Sequence, residues 1–156
     1  MNNPSKEKIK DILDFLKIRR AFLDTYISEN GFQRIIKTCK SCGFPTLHPL
    51  WFLEICQLCN WQDDVQDDHD ADKIYGAPNG ESLTESRIEF GLELDEIGFN
   101  MNASFIQNPE ILLNILKEYE LNLQYPPLES INGKTINNFD ALLIIGNRLI
   151  KEIFKN

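Results

Sequence analysis

The chain has 156 residues, 42% of them hydrophobic, with four cysteines, two histidines and a formal net charge of −8. That length and apolar content allow one ordinary domain with its own core and exclude a disordered chain. No apolar run reaches the roughly 18–20 residues of a membrane span, and the opening MNNPSKEKIKD lacks the apolar stretch of a secretory signal, so the cytoplasm is the expected compartment.

The charge is uneven. Residues 1–20 carry six Lys/Arg against three acids, a net of +3, whereas residues 41–130 carry three Lys/Arg against 17 Asp/Glu, a net of −14. The middle region repels nucleic-acid phosphates and attracts a cation or a basic partner, unless it serves solubility alone.

Asn3-Pro4 offers a helix cap with a first-turn proline. Ile9, Ile12, Leu13, Leu16, Phe22, Leu23, Tyr26 and Ile27 then recur at helical spacing, so one or two helices are predicted over about 5–28, closed by Asn30-Gly31. Residues 32–38 read as a short strand, and Phe44 to Ile55 as a second extended stretch broken by Pro45 and Pro49. Residues 60–81 are acidic and then rich in turn formers, which predicts a loop. Ser82-Leu83-Thr84-Glu85 fits a capping box ahead of a helix over about 83–96, with Leu83, Ile88, Phe90 and Leu94 among its apolar residues. Asn108-Pro109 repeats the cap-plus-proline signal before a helix to about 120. Pro126-Pro127 marks a linker, Asn132-Gly133 a turn, and residues 139–154 a last, strongly apolar helix.

All four cysteines stand in two Cys-x-x-Cys pairs, Cys39/Cys42 and Cys56/Cys59, with 13 residues between the pairs. In a reducing compartment this arrangement points to a metal site rather than to disulfides. Gly43 follows one pair and Asn60 the other, both residues that tolerate positive φ. A metal-binding turn needs such a residue so that backbone N–H groups face the sulfurs. Four thiolates around tetrahedral Zn²⁺ is the expected answer, one structural ion per chain, closed to water; iron with the same ligands and four unrelated core cysteines are the alternatives.

Asp63, Asp64, Asp67, Asp68, Asp70 and Asp72 follow directly. They fail the Ca²⁺-loop pattern: counting from Asp64, His69 stands where glycine is needed and Tyr75 where the bidentate Glu belongs. They read either as loop framework or as an acidic face for a partner. His48 reads as a packing or surface residue, and His69 as part of the solvated loop. No nucleophile motif or phosphate-cradling glycine loop is present.

The order of the C-x-x-C-G-F-P-T-L stretch, the second C-x-x-C-N-W-Q-D-D-x-Q-D-D stretch and G-A-P-N-G-E-S-L-T-E-S-R resembles the bacterial cysteine-rich CPCC family over about residues 37–91. The family's Cys-Pro-Cys-Cys reads Cys39-Lys40-Ser41-Cys42 here, so only the outer two cysteines are expected as ligands. The resemblance implies a zinc-ribbon-like fold more firmly than any activity.

The expected fold is therefore α+β: one domain over 1–156, with an N-terminal helical segment (1–36), a small zinc-ribbon-like β module (37–91) and a C-terminal helical segment (92–156). The expected function is that of a non-enzymatic zinc-binding interaction protein. An immunity or antitoxin-type protein that neutralises a basic toxin domain, such as a nuclease, fits the acidic middle and the closed metal site. A nucleic-acid-associated zinc ribbon, or an enzyme binding a catalytic metal through Asp63, Asp64, Asp67, Asp68 and His69, are the alternatives.

Overall fold

In a computed structural model the structure describes residues 3–50, 52–98, 109–123 and 148. The chain divides into two compact units, Met1–Met101 and Asn102–Asn156. The predicted linker, turn and last helix after residue 123 lie outside the described residues, Arg148 excepted. No helix among the described residues is long and apolar enough to cross a membrane.

In the first unit, helix α1 runs Lys6–Glu29. Its cap is Ser5, not the Asn3-Pro4 pair: the Ser5 hydroxyl accepts from the Lys8 amide at 3.1 Å, which leaves Pro4 just outside the helix. Ile12, Leu16, Arg19, Leu23 and Ile27 form the buried stripe. At the other end Gly31 takes φ +78 and the Phe32 amide reaches back to the Ile27 carbonyl at 2.9 Å. Residues 32–36 are thereby committed to turns, and the Ile36 amide also bonds back to Phe32. The predicted strand over 32–38 shrinks to β1, Lys37–Thr38.

Strand β1 pairs antiparallel with β2, Pro45–Leu47, with Lys37 opposite Leu47 and an irregular register beside it. Pro45, which has no N–H to give, sits opposite Thr38. A two-stranded sheet is all edge, so the proline is tolerated. The rest of the predicted second extended stretch contributes one bridge, Ile55 to Gln62.

Residues 60–81 are irregular apart from a 3-10 turn at Asp68–Asp70. Asn79 in the turn-former cluster acts as a surrogate strand. Its side-chain oxygen accepts from the Gln62 amide at 2.8 Å and its amide nitrogen donates to the Gln62 carbonyl at 2.9 Å. Helix α2 then spans Leu83–Glu96 behind the predicted capping box, with Ser82 accepting from the Glu85 amide and Glu85 from the Ser82 amide.

Helices α1 and α2 pack together where Gly91 faces Ile12. Phe44 meets Phe90 edge-on at 6.3 Å. The result is an α+β module of zinc-ribbon type, a minimal sheet and two Cys-x-x-Cys turns carried on two helices. In the second unit, α3 runs Pro109–Leu123 and buries Leu112, Ile115, Leu116 and Tyr119. Its start agrees with the cap-plus-proline signal.

Candidate metal centre

The two Cys-x-x-Cys turns have one and the same backbone pattern. In the first, the Gly43 amide donates to the Cys39 carbonyl at 2.8 Å and the Cys39 amide to the Phe44 carbonyl at 2.8 Å. In the second, the Asn60 amide donates to the Cys56 carbonyl at 2.9 Å and the Cys56 amide to the Trp61 carbonyl at 2.9 Å. Gly43 has φ +76 and Asn60 φ +62, so both predicted turning residues adopt the left-handed conformation.

The equivalent turns bring the four sulfurs together. All four Sγ atoms lie within 4.8 Å of one another, with Cys39–Cys59 at 3.7 Å and Cys42–Cys56 at 3.6 Å. A tetrahedron with metal–sulfur bonds of ~2.3 Å has edges of about 3.8 Å, so the donor set fits one tetrahedral ion. The cysteines are free thiols; three are buried and Cys59 is partly exposed. Burial pushes the Cys39 and Cys42 thiols well above their ordinary range. Cys56 is driven well below it: burial acts upward, but hydrogen bonds from Cys39, Cys42, Cys59 and Thr46 outweigh it. Cys39, Cys42, Cys56 and Cys59 would hold a bound cation as thiolates, which would displace their remaining protons.

Three supports of this centre escaped the sequence reading. Thr46 places its hydroxyl 2.9 Å from Cys56 Sγ. Arg19, reaching over from α1, donates from Nε and Nη2 to the Cys42 carbonyl at 3.0 and 2.7 Å and lies 4.8 Å above the Phe44 ring. Arg87 of α2 donates from Nε to the Lys40 carbonyl at 2.9 Å. Burial lowers Arg19 to about 10, with Cys42 and Cys59 acting upward, and it remains a cation at neutral pH. One sequence signal pointed to Arg19: it occupies the apolar register of Ile12, Leu16, Leu23 and Ile27. No local signal marks Thr46.

The six aspartates lie outside the sulfur cluster and are engaged internally. Asp63, offered as part of an acidic face, is buried and takes Lys37 Nζ at 2.7 Å. Asp64 accepts from the Gln66 amide and from Asn79. Asp67 accepts from the Asp68 amide and from Arg20; burial acts upward on it, but those two hydrogen bonds together with the charges of Arg20 and Lys40 hold it below its ordinary value. Asp68 takes Arg87 Nη2 at 2.7 Å. Asp70 closes the 3-10 turn on the Asp67 amide and accepts from Tyr75, and Asp72 accepts from Thr84. These bonds bind the loop to α1 and α2.

His48 is buried, and its Nδ1 accepts from the Leu50 amide at 3.2 Å. His69 is exposed. Among the described residues the four cysteines are the one cluster of potential ligands close enough to hold an ion.

No curated protein and no solved structure matches the chain. Residues 37–98, which contain the four cysteines, both turns, the aspartate loop and α2, match the family model described as Cysteine-rich CPCC, the family the sequence resembles.

Proposed function

We propose that the chain is a non-enzymatic zinc-binding interaction protein of the bacterial immunity or antitoxin type, which binds and neutralises a basic toxin domain in the cytoplasm. The observation that carries this reading is the sulfur cluster. Four cysteines fill the tetrahedron of one zinc ion and leave no position for substrate or water, so the ion serves the fold.

Two surface features support a binding role. Helix α2 carries Glu85, Glu89, Glu93 and Glu96 on its exposed side, an acidic stripe suited to steering a basic partner. Leu50 and Phe52 are 78% and 80% exposed, and Leu53 and Ile55 next to them are also exposed, which supplies apolar contact area. The loop aspartates contribute to the negative field while their hydrogen bonds hold the framework.

The test is to titrate the purified zinc-loaded chain with basic toxin domains, nuclease domains among them. A stoichiometric complex with one of them that weakens with salt and silences its toxicity is the expected result. Absence of binding, together with retardation of RNA or DNA at physiological salt, would replace this reading with a nucleic-acid-associated ribbon. A second tight divalent site, abolished by Asp67→Ala with Asp68→Ala, would replace it with a metal-dependent enzyme.

A further inference from the structure

Two buried guanidinium groups hold the backbone of the first cysteine turn, and they differ in one respect. Arg87, 7% exposed, bonds the Lys40 carbonyl and pairs with the Asp68 carboxylate. Arg19, 6% exposed, bonds the Cys42 carbonyl twice, but among the described residues no carboxylate pairs with it. The neighbouring arginine of α1, Arg20, has Asp67 at 3.1 Å. The acidic loop thus provides counter-ions for Arg20 and Arg87 and leaves Arg19 without one.

A buried cation with only neutral neighbours is costly. A carbonyl and an aromatic face offset part of that cost, and neither carries a charge. Through the Cys42 carbonyl the guanidinium is held against the first cysteine turn, whose sulfurs belong to the ionisable four-cysteine cluster. Fully protonated this cluster is neutral, and without metal it carries less negative charge than the loaded centre. As four thiolates around a divalent ion it carries two net negative charges, and the missing counter-charge is then in place.

We propose that Arg19 is a positioning residue that acts as the counter-cation of the tetracysteine metal centre, with the double hydrogen bond to Cys42 fixing it beside the cluster. The proposal rests on the metal reading above and extends it in two ways. It assigns the loaded centre a net negative charge. It also makes α1, which precedes the matched span of 37–98, an electrostatic part of that centre.

The experiment compares wild-type full-length chain with Arg19→Met, Arg19→Lys and Arg19→Gln. Zinc affinity is measured by chelator competition, and the sulfur-to-metal charge-transfer band is recorded on the cobalt(II)-loaded chain. Arg19→Met should lose about 10–100-fold in zinc affinity, the range for removal of an outer-sphere partner. Its cobalt band should move to lower energy, because the thiolates lose a stabilising cation. Arg19→Lys, which keeps the charge and loses the fork, should restore most of the affinity and the band position. If Arg19→Met does not fold, Lys against Gln gives the same comparison, since both lose the fork and only Lys is charged.

Equal losses in Lys and the neutral variants, with an unmoved band, would reduce Arg19 to a packing residue and overturn the proposal. So would a neutral variant that binds zinc like wild type. A wild-type chain that takes up neither zinc nor cobalt overturns the metal centre itself and this proposal with it, whereas a wild type that binds while the variants contradict the charge effect overturns this proposal alone.

Discussion

The hydroxyls of Ser41 and Ser86 meet at 2.7 Å, both buried, and tie the first cysteine turn to α2. Ser41 stands where the family resemblance leads one to expect a further cysteine, and its side chain is spent on α2 rather than on the sulfur cluster. Two outcomes are expected. Ser41→Cys should leave metal stoichiometry, read by elemental analysis, unchanged from wild type. Ser86→Ala should destabilise by about 1–3 kcal/mol in denaturant titration, because it leaves the Ser41 hydroxyl buried and unpaired, while the double replacement by alanine should cost less than the single one. A double variant that costs more than Ser86→Ala alone would contradict this.

Gly43 is constrained twice. Its φ of +76 disfavours any side chain, and a Cβ there would stand 3.1 Å from Leu16 Cδ1 and 3.5 Å from Arg19 Nε. Gly43→Ala should therefore lower stability by about 1–3 kcal/mol. Asn60 has the matching conformation in the other turn at φ +62, and Asn60→Gly should be tolerated. Thermal melts of the two variants side by side check the contrast.

Gly91 sets the approach of α1 and α2. Alanine is the better helix former by roughly 0.5–1 kcal/mol, but a Cβ at 91 would overlap the Ile12 side chain. Gly91→Ala should be net destabilising, by about 1–3 kcal/mol before the propensity gain. Ile12→Ala, which removes the Cγ2 and Cγ1 atoms that the new Cβ would meet, should cost less in the Gly91→Ala background than in wild type, and equal costs would place the strain elsewhere.

Metal removal should dissolve more than the two turns. With the ion chelated, amide protection should be lost over residues 39–60, because binding free energy in such a centre is largely folding free energy. It should fall as well in the middle of α1, where Arg19 bonds Cys42. Cys42→Ser or Cys59→Ser should act in the same direction. Unchanged hydrogen exchange after chelation would count against the whole scheme.

Glu54 should titrate near neutrality. Burial raises it from 4.5 to about 7, although the His48 amide donates to its carboxylate at 2.8 Å. The folded state then binds the proton more tightly than the unfolded chain does. Its contribution to stability is complete below pH ~4.5 and is lost as pH rises through about 7. Carboxyl NMR should place the midpoint in that range, and Glu54→Gln should flatten the pH dependence of stability between the two values.

Local chemistry made much of this molecule legible in the sequence. Helix α2 begins and ends where the capping box and periodicity place it, because Ser82, Glu85 and the apolar spacing act within a few residues. The turning residues Gly43 and Asn60 follow from the tight turn that each Cys-x-x-Cys pair requires, and two such turns suffice to imply a shared site. The strands were less legible. Residues 32–36 have extended propensity, but the reversal after Gly31 uses their amides in turns.

What the sequence by itself determined is the geometry of the two Cys-x-x-Cys turns and the frame of α1 and α2, fixed by contacts between residues a few positions apart. What only the tertiary structure decided is the setting of that site: Arg19 on Cys42, Ser41 on Ser86, Lys37 on Asp63, and Arg87 between Lys40 and Asp68. These partners are 19 to 47 residues apart, from Arg87–Asp68 to Arg87–Lys40. No local rule pairs them; packing α1 and α2 around the cysteine turns does, because burying those polar groups requires each to find a partner.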